Sequence, residues 1–184
     1  MPVNGKSKGS TFERKIANLL SARFESVTGM KQAFRRNPDS GSFFGGSNMR
    51  RTVTHDLEHA FFGDLICPTD FKFSVECKHY KAGPTFAAIA KGKITQWDEW
   101  IGQAKQDAVN SKKLMMLIMK YNGVDELVFL EDEAHEVLGL TLVFPYKGVY
   151  GYRLEDFLTL SDDHFFNYGL VKQQSLPAAQ GYRQ

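Results

Sequence analysis

Gly63-Asp64-Leu65-Ile66-Cys67 and Phe73-Ser74-Val75-Glu76-Cys77-Lys78 are the stretches whose reading decides the fold of this chain. Each is a short apolar run that carries an acid. The pattern predicts strands over 63–67 and 71–78, with Pro68-Thr69-Asp70 turning between them. Side chains alternate across a strand, so Glu76 and Lys78 share one face and Cys77 points to the other. If the two runs pair, Asp64, Glu76 and Lys78 converge. Two carboxylates and an ammonium at one point would seat Mg²⁺ through oxygen and orient a water, the chemistry of phosphodiester hydrolysis.

Working outward, Phe12, Ile16, Leu19 and Leu20 recur at helical spacing and predict a helix from Ser10 or Thr11 to about Phe24. A short strand is expected within 31–36. Residues 37–51 hold Asn37-Pro38-Asp39-Ser40-Gly41-Ser42, Gly45-Gly46 and Arg50-Arg51 and read as loop, and 52–62 carries no decisive pattern. Trp97, Trp100, Ile101, Ala104 and Ala108 mark a second helix over 94–110. Strands are expected at 113–121, nearly continuously apolar as central strands are, and at 126–131. This order describes an α/β fold, a mixed β-sheet flanked by helices in a single domain. The expected organisation is a flexible basic arm at 1–9, a core at 10–131 and a C-terminal extension at 132–184, packed on the core with a frayed end.

With 184 residues, 42% of them hydrophobic and 24% charged, the chain has the makeup of a soluble globular domain. No apolar run is long enough to span a bilayer and the start has no signal-peptide stretch, so a cytoplasmic protein without a membrane partner is expected. Cys67 and Cys77, both in apolar runs, read as buried thiols and not as a disulfide or a zinc site. The net charge of +2 conceals an asymmetry. Residues 1–122 carry 19 Lys/Arg against 11 Asp/Glu, whereas 123–184 carry 4 against 10. A basic two-thirds suits a polyanion such as DNA, and a solvated mixed-charge surface is the alternative. Arg35, Arg36, Arg50, Arg51, Lys6 and Lys8 are the candidate phosphate contacts.

These parts together resemble the P-D-(D/E)-x-K nuclease superfamily, and within it the archaeal-type Holliday-junction resolvases and their phage-borne relatives. Lys8-Gly9-Ser10-Thr11-Phe12-Glu13-Arg14 is similar to the opening helix with its acid, and Ser40-Gly41-Ser42 to the serine-glycine loop. Gly63-Asp64 stands at the metal-binding aspartate, and Glu76-Cys77-Lys78 at the E-x-K triplet. The helix Gln96-Trp97-Asp98-Glu99-Trp100-Ile101-Gly102-Gln103 resembles phage-borne members that place a glutamine near the site. The residue before Asp64 is glycine where the motif has proline. The stretch from Phe43 to Phe62 is longer than compact resolvases have, and the last 60 residues have no assigned counterpart.

The resemblance implies a restriction-endonuclease-like sheet, a Mg²⁺ (or Mn²⁺) cofactor, branched DNA as substrate, a role in DNA recombination or replication, and a homodimer. It implies Asp64 and Glu76 as metal ligands with the Cys77 backbone carbonyl, Lys78 as the group that positions water, and Gln103 as a supporting residue. It implies Glu13 at a second ion or through water, although Ser10-Thr11-Phe12-Glu13 is also a capping box that needs no chemistry. Ser42 is the serine expected at a phosphate, ahead of Ser40. His79 faces away from Glu76 and Lys78 and is left outside the site. The leading expectation is a structure-selective endonuclease. A nuclease on linear duplex or single strands, and a catalytically idle DNA-binding domain, are the alternatives.

Overall fold

The computed structural model describes residues 5–38, 62–131 and 139–167. Helix α1 (Gly5–Arg23) is followed by the short α2 (Glu25–Thr28), and the two-residue strands β1 (Arg35–Arg36) and β2 (Leu65–Ile66) pair antiparallel. Strand β3 (Phe73–Tyr80) leads through α3 (Phe86–Ala90) and α4 (Thr95–Ser111) into β4 (Leu114–Tyr121). Strands β5 (Leu127–Glu131), β6 (Phe144–Tyr146) and β7 (Val149–Arg153) follow, then α5 (Leu154–Phe157) and a 3₁₀ turn at Asp162–His164.

The main sheet has the order β3-β4-β5-β7-β6. β3 and β4 run parallel, which requires the α3–α4 crossover between them, and the remaining pairs are antiparallel. This is the expected α/β arrangement, a restriction-endonuclease-like mixed sheet flanked by helices in one domain. The apolar run of β4 is explained by its place: Met116 and Ile118 pack toward α1, while Met115, Leu117 and Met119 pack toward α4. On one face Phe12, Ile16 and Leu20 of α1 cover Val75 and Cys77. On the other, Trp97, Ile101 and Ala104 of α4 close the second half of the core.

Two expectations are corrected. Helix α1 begins at Gly5 and not at Ser10, so residues 5–9 are helical and Glu13 lies in the helix interior, where it closes no capping box. The strand at 63–67 shrinks to Leu65–Ile66, and it pairs with β1 and not with β3. The stretch from 144 to 166 also has a definite place. β6 and β7 extend the sheet, and Phe157, Phe165 and Phe166 fill the same core as α1, with Phe165 and Phe166 against the Phe24 ring. Arg23 ties α1 to the segment around and after α5, donating to Leu158 O at 2.7 Å and Leu160 O at 2.8 Å and pairing with Asp162.

Asp64 reaches β3 without a ladder because of Gly63. Gly63 sits at φ +84°, and a Cβ there would lie 2.7 Å from Val75 O and 3.0 Å from Ser74 Oγ. Only glycine fits, and the turn delivers the Asp64 N–H to Val75 O at 2.8 Å. Gly63→Ala combines a left-handed backbone with a clash against main chain, and we expect it to cost roughly 2–5 kcal/mol. Urea unfolding at neutral pH measures this; an unchanged midpoint would refute the constraint.

Candidate active site

β3 is an edge strand of the main sheet, and the candidate site forms along its open side. The Cys77 N–H donates to Asp64 Oδ2 at 2.8 Å, so the aspartate from the Gly63 turn is clamped onto the middle residue of the Glu76-Cys77-Lys78 triplet. Glu76 and Lys78 leave β3 on the α4 face. Lys78 Nζ donates to Glu76 Oε1 at 2.5 Å and to Gln103 Oε1 of α4 at 3.1 Å. The structure thus brings Asp64, Glu76, Lys78 and Gln103 together. They arrive from a turn, an edge strand and a helix that are far apart in sequence.

The electrostatics are those of negative charges held out of water. Asp64 and Glu76 are 7% and 2% exposed. Burial, and then the neighbouring Asp64 carboxylate, raise Glu76 to about 8 against the pull of Lys78. Burial alone would lower Lys78, but the Glu76 carboxylate and their shared hydrogen bond outweigh it and leave its pKa raised. The two partners therefore respond differently. Lys78 gains a partner outright, whereas Glu76 gains Lys78 but also faces Asp64 in the less exposed position. At neutral pH the lysine is charged, while burial and the Asp64 carboxylate disfavour the ionised form of Glu76.

Both cysteines are free thiols. Burial pushes Cys67 up to about 12 and Cys77 well above its ordinary value, so neither offers a thiolate at neutral pH. The Cys77 side chain packs in the core under α1.

The remaining expected residues divide. Glu13 is 8% exposed and bonds Arg36 Nε through Oε2 at 2.5 Å. Its carboxylate is committed to β1, and among the described residues no three of the His, Cys, Asp and Glu side chains assemble into a metal-binding group. Arg36 is the other half of that pair, while Arg35 is exposed and donates to Gln32 O at 3.3 Å. Lys8 lines a cavity on the α1 face of the sheet, away from Glu76 and Lys78. Ser40, Ser42, Arg50 and Arg51 lie outside the described residues, as does the Lys6 side chain.

Asp107, which the sequence reading did not single out as a site residue, stands close enough to interact electrostatically with the candidate site. It stands one turn beyond Gln103 on α4, and its charge acts on both Glu76 and Lys78. Burial raises its pKa and Lys78 lowers it in part. The spacing of Gln103 and Asp107, four residues apart on one helix face, is the signal that points to it.

Comparison with curated proteins and with solved structures found no significant match. A family model described as "Phage putative PDDEXK endonuclease" matches residues 4–146, a span that contains Glu13, Asp64, Glu76, Lys78, Gln103 and Asp107. Nucleases of this type generally use divalent metal ions. The chain belongs to this phage PDDEXK endonuclease family and is a nuclease, a hydrolase of nucleic-acid phosphodiester bonds.

Proposed function

We propose that the protein is a Mg²⁺-dependent DNA endonuclease selective for branched DNA of the Holliday-junction type, acting in recombination or replication as a homodimer. The observation that carries the catalytic part is the bond from Cys77 N–H to Asp64 Oδ2, which places a second carboxylate beside the Glu76-Cys77-Lys78 triplet on an open strand edge. The donor set fits a hard divalent cation. Two buried carboxylates raise each other's cost of ionisation, one ammonium does not balance them, and every available donor is oxygen. Asp64 and Glu76 would hold the ion. Within a strand the N–H and C=O of one residue point to the same side, so the Cys77 carbonyl faces the edge where Asp64 sits and supplies a third oxygen.

When bound, the ion supplies Lewis-acid polarisation of the phosphate and acidifies a water. The chain's own residues do the rest. Lys78, fixed between Glu76 and Gln103, keeps its proton, orients the attacking water through Nζ and offsets charge on the phosphorane. The bond from water oxygen to phosphorus forms as the bond to the 3′-oxygen breaks; the attacking water gives up a proton to solvent and the departing 3′-oxygen takes one up. Asp107 adds negative charge behind Lys78 and favours its ammonium form. Glu13 and Arg36 set the position of α1 against β1, and the exposed Arg35 is a candidate phosphate contact.

The preference for branched DNA rests on the resemblance to junction resolvases, and the homodimer follows from the need to cut two strands symmetrically. The test is cleavage of a four-way junction set against linear duplex and single strand of the same sequence, with Mg²⁺ and with Mn²⁺. We expect the junction to be cut at least about tenfold faster, a difference of 1.4 kcal/mol. Equal cutting of linear duplex removes the resolvase assignment, and binding without cutting under any divalent ion leaves a catalytically idle DNA-binding domain.

A further inference from the structure

On the α1 face of the sheet, opposite Glu76 and Lys78, a cavity of about 310 Å³ is lined by Lys8, Phe12 and Lys15 of α1, His79 of β3, Lys120 of β4 and Glu126. Its walls combine two chemistries. The half-buried His79 ring lies against the buried Phe12 ring, tilted by 55° at a centroid distance of 5.4 Å, and gives the cavity an aromatic side. Three ammonium groups surround it against one carboxylate, a net charge of +2 with His79 neutral. Glu126 pairs with Lys15 at 2.5 Å and with Lys120 at 3.1 Å, holding two of those ammonium groups in place while cancelling one charge.

An apolar ligand would leave the net positive charge of the cavity uncompensated, because Glu126 balances only one of the three ammonium groups, and a bare anion would leave the His79 ring uncovered. A nucleotide satisfies both, with a flat base and an anionic phosphate. We propose that this cavity receives one unpaired nucleotide of the DNA substrate, its base against Phe12 and His79 and its phosphate among Lys8, Lys15 and Lys120. The inference rests on the DNA-nuclease reading above. A volume of about 310 Å³ is that of a small-ligand site and too small to enclose a duplex segment. The location connects the cavity to the site, because His79 follows Lys78 directly on β3 and stands opposite Lys120 in the β3–β4 register. In this proposal a strand held at Asp64, Glu76 and Lys78 would round the edge strand β3 to reach it. The cavity thereby provides a way to sense unpaired DNA next to the point of cleavage.

Fluorescence anisotropy of the full chain in EDTA tests this without cleavage. Three labelled probes share one sequence: a fully paired duplex, the same duplex with one bulged nucleotide, and the same bulge made abasic. We expect the bulged duplex to bind about tenfold tighter than the abasic one. His79→Ala and Lys120→Gln should remove that preference while leaving the paired duplex within about twofold of wild type. Glu126→Gln, which restores the cancelled charge, should tighten the bulged probe, a gain that a folding defect does not mimic. Equal affinity of the wild type for bulged and abasic probes overturns the cavity's role. So does an equal loss on all three probes, which marks the lysines as general phosphate contacts. If the bulge preference holds but no DNA is cut with metal, the catalytic reading falls and the cavity stands.

Discussion

Lys78→Ala is expected to lower the single-turnover cleavage rate on the order of 10³-fold while changing DNA affinity by less than about threefold. The reason lies in where the ammonium sits. Its Nζ is held at 2.5 Å from Glu76 and 3.1 Å from Gln103, so it is fixed before substrate arrives and loses nothing to reorganisation in the transition state. Its side chain is only 19% exposed, so solvent screens its charge little. Removing it takes a positive charge from where phosphorane charge develops and frees the water from its orienting donor. Glu76 can take up a proton when its partner is lost, which limits the damage to the fold. Asp64→Asn should give a comparable loss by a different route, because the amide keeps an oxygen for the Cys77 N–H but drops the charge proposed to hold the ion. Gln103→Ala, which loses one of the two anchors of Lys78, should fall between wild type and Lys78→Ala. The measurement is cleavage of a labelled DNA probe under excess protein, with anisotropy on the same probe. A Lys78→Ala protein that cuts within tenfold of wild type would end the assignment of Lys78 to the chemistry.

The sequence carried the centre of the fold more clearly than its edges, for physical reasons. β4 was legible because a strand buried on both faces must be apolar throughout, and Leu114–Met119 is. α4 was legible because one face packs on the sheet and the other meets solvent, giving Trp97, Trp100, Ile101, Ala104 and Ala108 their helical spacing. The convergence of Asp64 with the triplet was anticipated, but by the wrong device. The expected ladder between 63–67 and β3 is absent, and one backbone bond, one side-chain bond and a left-handed glycine do its work. Nothing in local pattern distinguishes a two-residue strand from a longer one when the long-range partner is unknown.

The position of Glu13 was legible and its partner was not. A capping box and a helix-interior acid look alike when the helix start is uncertain, and α1 begins at Gly5 despite the low helix propensity of Gly5 and Gly9. The core contribution of Phe157, Phe165 and Phe166 was also hidden. These aromatics are separated by polar turns and show no period of their own, and their burial depends on α1 and Phe71, far away in the chain. Asp107 lies on a flank of α4, but its meaning depends on its closeness to Lys78, which only the packing of α4 on β3 supplies.

The other large effect concerns the metal-free protein and pH. Glu76 has an ordinary value of 4.5 and stands at about 8 in the folded chain, so the native state binds its proton more tightly than the unfolded state does. Below about 4.5 both states are protonated and the contribution is fully present. As pH rises toward 8 the unfolded chain ionises freely while the folded one must hold the proton or carry a buried charge beside Asp64. Stability therefore falls through that window, by on the order of 4 kcal/mol in total if Glu76 alone is counted. Asp107 is raised as well and pushes in the same direction, whereas the lowered pKa of Glu126 works the other way, so the total slope is a sum. Glu76→Gln isolates the Glu76 part, because glutamine matches the protonated acid in shape and cannot ionise. In EDTA the variant should equal wild type near pH 5 and exceed it in stability at pH 8, by urea unfolding. Mg²⁺ should stabilise wild type more at pH 8 than at pH 5, since it binds the ionised carboxylates, and should do little for Glu76→Gln. A wild-type minus variant difference that stays flat from pH 5 to 8 would show that Glu76 ionises without penalty. The two acids would then not form the strained, cation-seeking pair on which the metal site depends.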